Sequence, residues 1–493
     1  MFICLALSLT AFLHLSVDKF PDPDVFYHFR HAQIYASPSS GGIFRTAFPW
    51  LYYSVIREVS SDLWYGFHLL LIPFTWISNP ILGMQRAGIF ITLLSLILFF
   101  TACMRLKIRA PLFWPFFLLF SSAFLLHRFG MLRPQVLSLG LAALLFAMLA
   151  TENVWGVFFV ALSSVFLHLN LSFMPLIILA IFAPIKFFEE RILIWKETLA
   201  LAAGVILGWL LRPNPFGAAK ILYVQLFQWT LKKISGSLLD LGAELLPLTI
   251  KSTSNYLPFI LLLFITLLYV LWRYAKKTLT ISARDRTNLM SAAALSIFLF
   301  FLSVFFARRA FDFCSAFGVI LMGLVFSHYF FANWSIRIAL ICTVLVLVPY
   351  SLKLRNEALY AGFAGWDPYR FESAAKWIAA NSKPGEIVFN ARWEYFPELF
   401  FWNSKNVYCS GMDPVFLYAY DPVLYSEAYD LVADQTGLED LKTPPYKVLK
   451  EDLKVRYVVL AKPYDQSLYF RLLADRRFLP RQENETSAVF EVQ

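Results

Sequence analysis

Charge is what this chain has least of. Only 15% of its 493 residues are Asp, Glu, Lys or Arg, against roughly 25% in soluble globular proteins. That scarcity, with 59% hydrophobic residues and a mean hydropathy of +0.61, excludes disorder and an all-soluble array of domains. Five cysteines cannot staple a disulfide scaffold of this length, and 20 glycines exclude a collagen repeat. Four of the cysteines, Cys4, Cys103, Cys314 and Cys342, lie in or beside apolar runs, so Cys409 has no partner in the polar C-terminal part. No Cys/His pattern has zinc spacing. The N-terminus is apolar from Phe2 to Leu15 and has neither a basic n-region nor a small-residue cleavage site, so it is expected to be an uncleaved first span.

Long apolar runs fill the first 352 residues. Eleven spans are expected, over 2–17, 87–104, 111–127, 135–150, 154–169, 171–186, 197–211, 257–272, 289–306, 313–331 and 336–352. A twelfth stretch, 63–79, is interrupted by Pro73 and carries His68, and its crossing or not sets the orientation of all that follows. The net charge of +10 is not a nucleic-acid footprint, because the basic residues cluster in short loops between apolar runs. If 63–79 does not cross, the basic loops at 105–109, 186–196 and 273–286 face the cytoplasm, as the positive-inside bias requires. The expected architecture is therefore a polytopic α-helical membrane protein of about 11 spans over 1–352, N-terminus inside, in a cell (inner) membrane. Its long external loops are 18–86 and 212–256. After Lys353, helical patterns at 371–382 and 466–476 alternate with strand-like runs at 386–390, 455–461 and 488–492. Residues 353–493 are expected to form a soluble, extracytoplasmic α/β domain.

The polar residues with chemical potential then gather on the outer face. Just past the first span stands F-P-D-P-D-V-F-Y-H-F-R-H-A. Asp22 and Asp24 flank Pro23 and are placed to share a divalent cation through oxygen ligands. On a helix starting near Asp24, that residue, His28 and His31 fall within an arc of roughly 60°. The competing reading is a capped interfacial helix with solvated histidines.

D-V-F-Y-H-F-R resembles the D-x-x-Y-H-x-R stretch in the first external loop of archaeal-type oligosaccharyltransferase catalytic subunits, members of the GT-C superfamily of membrane glycosyltransferases. Residues 374–395 are similar to the helix, Pro turn and strand that lead into that family's W-W-D-Y-G motif, with Trp393, Glu394 and Tyr395 matching W-D-Y. Arg392 stands for the first Trp, Glu394 for Asp and Phe396 for Gly. The resemblance implies a GT-C-like fold and transfer of a sugar or oligosaccharide from a polyprenyl-phosphate donor in the outer leaflet. Asp24 would be metal ligand or catalytic base, with Asp22, His28 and Glu244 beside it and Mg or Mn as cofactor. Glu244 sits where the family places an acid in a later loop; Asp240, one turn earlier, is a weaker candidate.

A departing phosphate needs fixed positive charge, and arginine offers a bidentate fork. Arg30, Arg128, Arg133, Arg212, Arg308 and Arg309 are candidates, against interfacial snorkelling. Arg308 and Arg309, with Asp312, are least like snorkellers, because cations favour the inner side. Gln135, His168, Asn170 and Asn214 are polar groups near membrane depth. Competing functions are a polyprenyl-linked glycan polymerase or ligase, a non-catalytic assembly protein of the same fold, and a transporter. A transporter would ordinarily show repeat symmetry and midplane charges, which are not found.

Overall fold

A computed structural model describes residues 2–38, 41–234, 242–249, 253, 256–360, 365–433 and 444–493. All eleven expected spans fall on helix, but fewer are long enough to cross on their own. Among the described residues, six helices have the length and apolarity to span a bilayer: Pro80–Arg105, Leu169–Glu190, Leu257–Ala275, Ala283–Phe305, Ala310–Phe330 and Trp334–Tyr360. The count reaches eight if each of two bent pairs is one span: Ala123–Phe129 with Pro134–Ala150, bent by 107°, and Trp195–Leu210 with Pro215–Lys232, bent by 102°. The chain is a multi-pass membrane protein, and its described residues supply six to eight long spans toward the expected eleven. Phe2–Leu15 and Val154–Leu167 are helices of 14 residues, about 21 Å at 1.5 Å per residue, short of the hydrocarbon thickness.

The breaks have local causes. The expected 111–127 span divides into Phe113–Phe120 and Ala123–Phe129, because Ser122 turns to extended backbone and caps the second helix through Leu125 N–H. Arg133 precedes Pro134, and such a residue is pushed out of the helical region; it lies at φ −127°, ψ 147° and makes the sharp bend. The stretch 63–79 holds only Tyr65–Leu71 and, directly after it, a tighter turn, Ile72–Trp76, that begins with Ile72-Pro73. Seven helical residues reach about 10 Å, too short to cross as a helix. Elsewhere backbones approach closely. A Cβ on Gly204 or Gly208 would sit 2.5 Å from the carbonyl oxygen of Phe158 or Leu162, so this small-xxx-small pair lets Trp195–Leu210 lie against Val154–Leu167.

The strands all lie late in the chain. β1 (Ile387–Asn390), β2 (Val407–Tyr408), β3 (Tyr457–Ala461), β4 (Phe478–Glu483) and β5 (Ser487–Val492) form one sheet in the order β2-β1-β3-β5-β4. β1 is parallel to β2 and β3, with Val388 opposite Tyr457, while β5 is antiparallel to β3 and β4, with Val459 opposite Val489. β3 and β5 are buried at every position, as central strands covered on both faces should be. β2 and β4 escape the sequence pattern because one has two residues and the other is an edge strand with Pro480 and Arg481 exposed at a bulge.

The first loop is stitched to this sheet. Tyr52 N–H donates to Tyr408 C=O and Tyr408 N–H to Trp50 C=O, both at 2.8 Å, so the loop extends the β2 edge. Phe20 and Trp366 form a second, antiparallel bridge. The Asp24–Ala36 helix packs on the Phe396–Trp402 helix through Phe26 against Phe401 and Tyr27 against Phe400. The acidic motif is thus clamped between the spans and the sheet. All five cysteines are free, and Cys409 is buried at the end of β2.

Candidate active site

Arg133 is the hub. Freed from helix by the Pro134 bend, its guanidinium faces three carboxylates from two distant segments. It donates to both oxygens of Asp22, lies 2.6 Å from Asp24 Oδ2, and donates from Nη1 to Glu244 Oε1 at 2.8 Å. Glu244 also accepts from Arg128 Nη1 at 2.6 Å and lies 3.6 Å from Arg309. Arg128 Nε is 3.0 Å from Asp312 Oδ2, which accepts in turn from Gln135 Nε2 at 2.6 Å; Gln135 Oε1 accepts from Arg309. Glu244 reaches the cluster because its segment pairs with the end of the Ala283–Phe305 helix. Leu248 N–H donates to Ser303 C=O, Arg308 N–H to Leu246 C=O and Arg309 N–H to Glu244 C=O.

The charge balance of this cluster is informative. Asp22, Asp24, Glu244 and Asp312 oppose Arg128, Arg133 and Arg309, which leaves one carboxylate more than there are guanidiniums to neutralise it. Glu244 stays ionised: burial pushes its carboxyl up, but Arg128, Arg133 and Arg309 override it and hold it well below the usual range. Asp24 is pushed the other way. Its pKa is raised to about 7, first by burial and also by Asp22 and Glu244, with Arg133 opposing. Asp24 is partly exposed at 17%, as is Glu244 at 20%, whereas Asp22 at 4% is closed off. It opens its helix without capping it, its carboxylate being turned to Arg133.

A patch of unsatisfied donors adjoins the cluster. Arg308 has no carboxylate within ion-pair distance among the described residues, and its Nε is buried without a hydrogen-bond partner. Arg128 Nη2 and the Tyr256 hydroxyl are buried and unpartnered as well. The three surround Phe124: the guanidinium carbons of Arg308 and Arg128 lie 4.8 and 5.2 Å from its ring centre, and the Tyr256 ring is 5.5 Å away. Buried donors without acceptors are costly, and two guanidiniums and a phenol gathered around one ring are donors of the kind an anion takes.

Several expected site residues go elsewhere. The ligand set Asp22, Asp24 and His28 does not assemble. Both aspartates are taken by Arg133, and His28 Nδ1 is bonded to His68 Nε2 at 2.8 Å. The group of imidazole and carboxylate atoms that does converge, among the described residues, is His31, Asp62 and His68. The oxygens of Asp22, Asp24 and Glu244 converge instead on the Arg133 guanidinium. Arg30 is spent on Ser404 and Gln33, tying its helix to the segment before β2. Arg212 donates to the carbonyls of Asp62, Leu63 and Val165 and is a buried backbone clamp rather than a phosphate ligand. Asn214 caps a helix through Gly217 N–H, His168 bonds Ser138, and Asn170 donates to Gln225. Asp240 lies outside the described residues.

Trp393, Glu394 and Tyr395 form one tight turn after β1. Tyr395 is buried and donates to Asp465 at 3.0 Å, a structural use. Trp393 lines a cavity of about 170 Å³ with Arg392, Asn390, Ser410, Tyr425 and Tyr429. A Cβ on Gly242 would be 3.9 Å from its Cη2, so the tryptophan reaches the segment that carries Glu244. Tyr256 and Asp62 carry no signal in the sequence, since a tyrosine at a span end and an acid in a loop are common.

No family model and no curated protein matches the sequence. Solved structures do. ArnT from Cupriavidus metallidurans in the apo state superimposes with a TM-score of 0.56 at 12% identity, over 99% of this chain and 96% of that one. The same protein bound to undecaprenyl phosphate gives a TM-score of 0.55 at 12% identity, over 99% and 97%. The chain has the ArnT fold. The likeness is one of fold and extends over nearly the whole of both chains.

Proposed function

We propose that the chain is a membrane glycosyltransferase that moves a sugar or oligosaccharide from a polyprenyl-phosphate donor to an acceptor at the outer face of the membrane. The observation that carries this reading is a partly exposed acid, Asp24, with its pKa raised to about 7, in a cluster adjoined by buried and unsatisfied donors of Arg308, Arg128 and Tyr256. Undecaprenyl phosphate bound to a structure of the same fold agrees with it. In the reaction, Asp24 takes the proton of the acceptor's hydroxyl or amine. The acceptor atom bonds to the anomeric carbon, and the bond to the phosphate oxygen breaks with its electron pair left on the phosphate. Arg308 and Arg128 stabilise that charge where it develops. Arg133 and Glu244 hold Asp24 in place, so transfer is expected to proceed without added Mg or Mn; an absolute requirement for either ion in a transfer assay would return Asp22 and Asp24 to the role of metal ligands.

Donor binding tests the reading directly. Purified protein is expected to bind undecaprenyl phosphate and not undecaprenol, and Arg308→Ala should weaken binding at least tenfold. A charge-assisted contact is worth about 1.5–3 kcal/mol. Equal binding of the alcohol and the phosphate would remove the phosphate site and the reading with it. Orientation is tested separately. The proposal puts residues 353–493 outside the cytoplasm and the N-terminus inside. Because Cys409 is buried, the reporter must be new: Glu485→Cys, at an exposed position, should react with a membrane-impermeant thiol reagent in cells whose outer barrier is opened. Labelling only after lysis would place this region inside.

A further inference from the structure

Beneath Asp24, on the same helix, a second polar cluster takes no part in the transfer scheme. His31 follows Asp24 by seven residues, about 10 Å along one helix face. Its ring stacks on that of His68 with centroids 4.4 Å apart. Asp62, in the loop ahead of the Tyr65–Leu71 helix, completes the group, and one ligand atom from each residue lies within 4.8 Å of the others. All three residues are buried.

We propose that His31, Asp62 and His68 bind a zinc ion that fastens the Asp24 helix to the 62–68 segment. Two imidazoles and a carboxylate are a borderline-soft donor set of the kind tetrahedral zinc takes. His31 Nε2 lies 3.9 Å from Asp62 Oδ2. That is too long for a hydrogen bond and close to the ~3.4 Å that separates two ligand atoms on one tetrahedral ion with bonds of about 2.0–2.1 Å. The outer contacts point the same way. Each proposed ligand has its remaining polar atom fixed by another group: His68 Nε2 by His28 Nδ1 at 2.8 Å, His31 Nδ1 by the Tyr27 hydroxyl at 3.2 Å, and Asp62 Oδ1 by Trp64 N–H at 2.9 Å. Such partners set the tautomer and aim the inward atoms, as around bound metals generally. The Tyr35 hydroxyl, 3.0 Å from Asp62 Oδ2, stands beside the fourth position. His68 Nδ1 and Asp62 Oδ2, now 2.6 Å apart, would share the ion in place of their proton. This accounts for His28: it orients His68 rather than reaching the acids.

The test reads metal rather than transfer, so it stands or falls apart from the enzymatic reading. Full-length protein purified without chelator, incubated with zinc chloride and desalted, should retain about one zinc per chain by mass spectrometry. The His31→Ala, His68→Ala double variant should retain none, whereas Asp24→Asn should keep it. Where a variant does not fold, the wild type decides. Loaded with Co²⁺ in place of zinc, it should show the intense visible absorption of a tetrahedral site. Wild-type protein that desalts free of zinc, a double variant that keeps it, or a Co²⁺ spectrum without tetrahedral bands would each overturn the site.

Discussion

Asp24→Asn is expected to abolish transfer while leaving the protein folded. The substitution keeps the side chain's size but removes the partly exposed carboxylate whose pKa is raised to about 7, and losing a general base costs about a hundredfold to ten-thousandfold in rate. Stability should not fall with it, because the cluster carries one acid more than it has arginines. Neutralising Asp24 balances the charge, and Arg133 keeps Asp22 and Glu244 as partners. The pH dependence carries a definite sign. Burial raises the folded pKa to about 7 from an ordinary value of 3.8, so Asp24 is protonated below that point and competent as a base above it. Wild-type transfer should rise through about pH 7 and level off. The stability this group contributes is complete below its unfolded value and is lost as pH rises through about 7. At pH 8 the Asn variant should therefore unfold no earlier than wild type in a thermal scan. Full transfer by Asp24→Asn in vesicles, at equal protein level, would end the catalytic assignment.

What could be read in the chain before its fold was determined by how local each signal is. Asp24 is legible because an acid directly after the first apolar run has a short, position-bound motif around it. Arg308, Arg309 and Asp312 are legible because cations at an outer span end break a statistical bias. Their partners are not. Glu244 joins Arg133 across 111 residues, and it does so through backbone pairing of its loop with 303–309, which no periodicity encodes. Convergence of three histidines is equally non-local: an arc on one helix places His28 and His31 together, but only the fold brings His68 and Asp62 to them. Span length is hidden from the sequence for a related reason. Hydropathy registers apolar runs, while length and bending depend on capping serines and on Pro134, so runs that look alike become full spans, half-helices or bent pairs. The ArnT fold emerges from arrangement at 12% identity, where residue-level likeness survives only in fragments.

Arg133→Ala should be the most damaging single change to the fold of the site. It would leave Asp22, Asp24 and Glu244 facing one another with Arg128 and Arg309 as the remaining counter-charges, and Asp22 with no cation within ion-pair distance. Breaking a buried ion pair by deleting one partner costs about 3–5 kcal/mol, and here one guanidinium serves three acids. The variant is expected to unfold well below the wild-type temperature in detergent and to accumulate poorly in membranes. Charge rather than packing should be the cause, which a second substitution separates. Adding Asp24→Asn removes one of the stranded carboxylates and should restore part of the loss, with a coupling of about 0.5–3 kcal/mol. A cavity left by the missing side chain would be indifferent to it. Wild-type stability of Arg133→Ala, or a double variant no better than the single one, would mean that the acids are neutralised by protons and solvent rather than by this arginine. The charge excess would then no longer explain the raised pKa of Asp24.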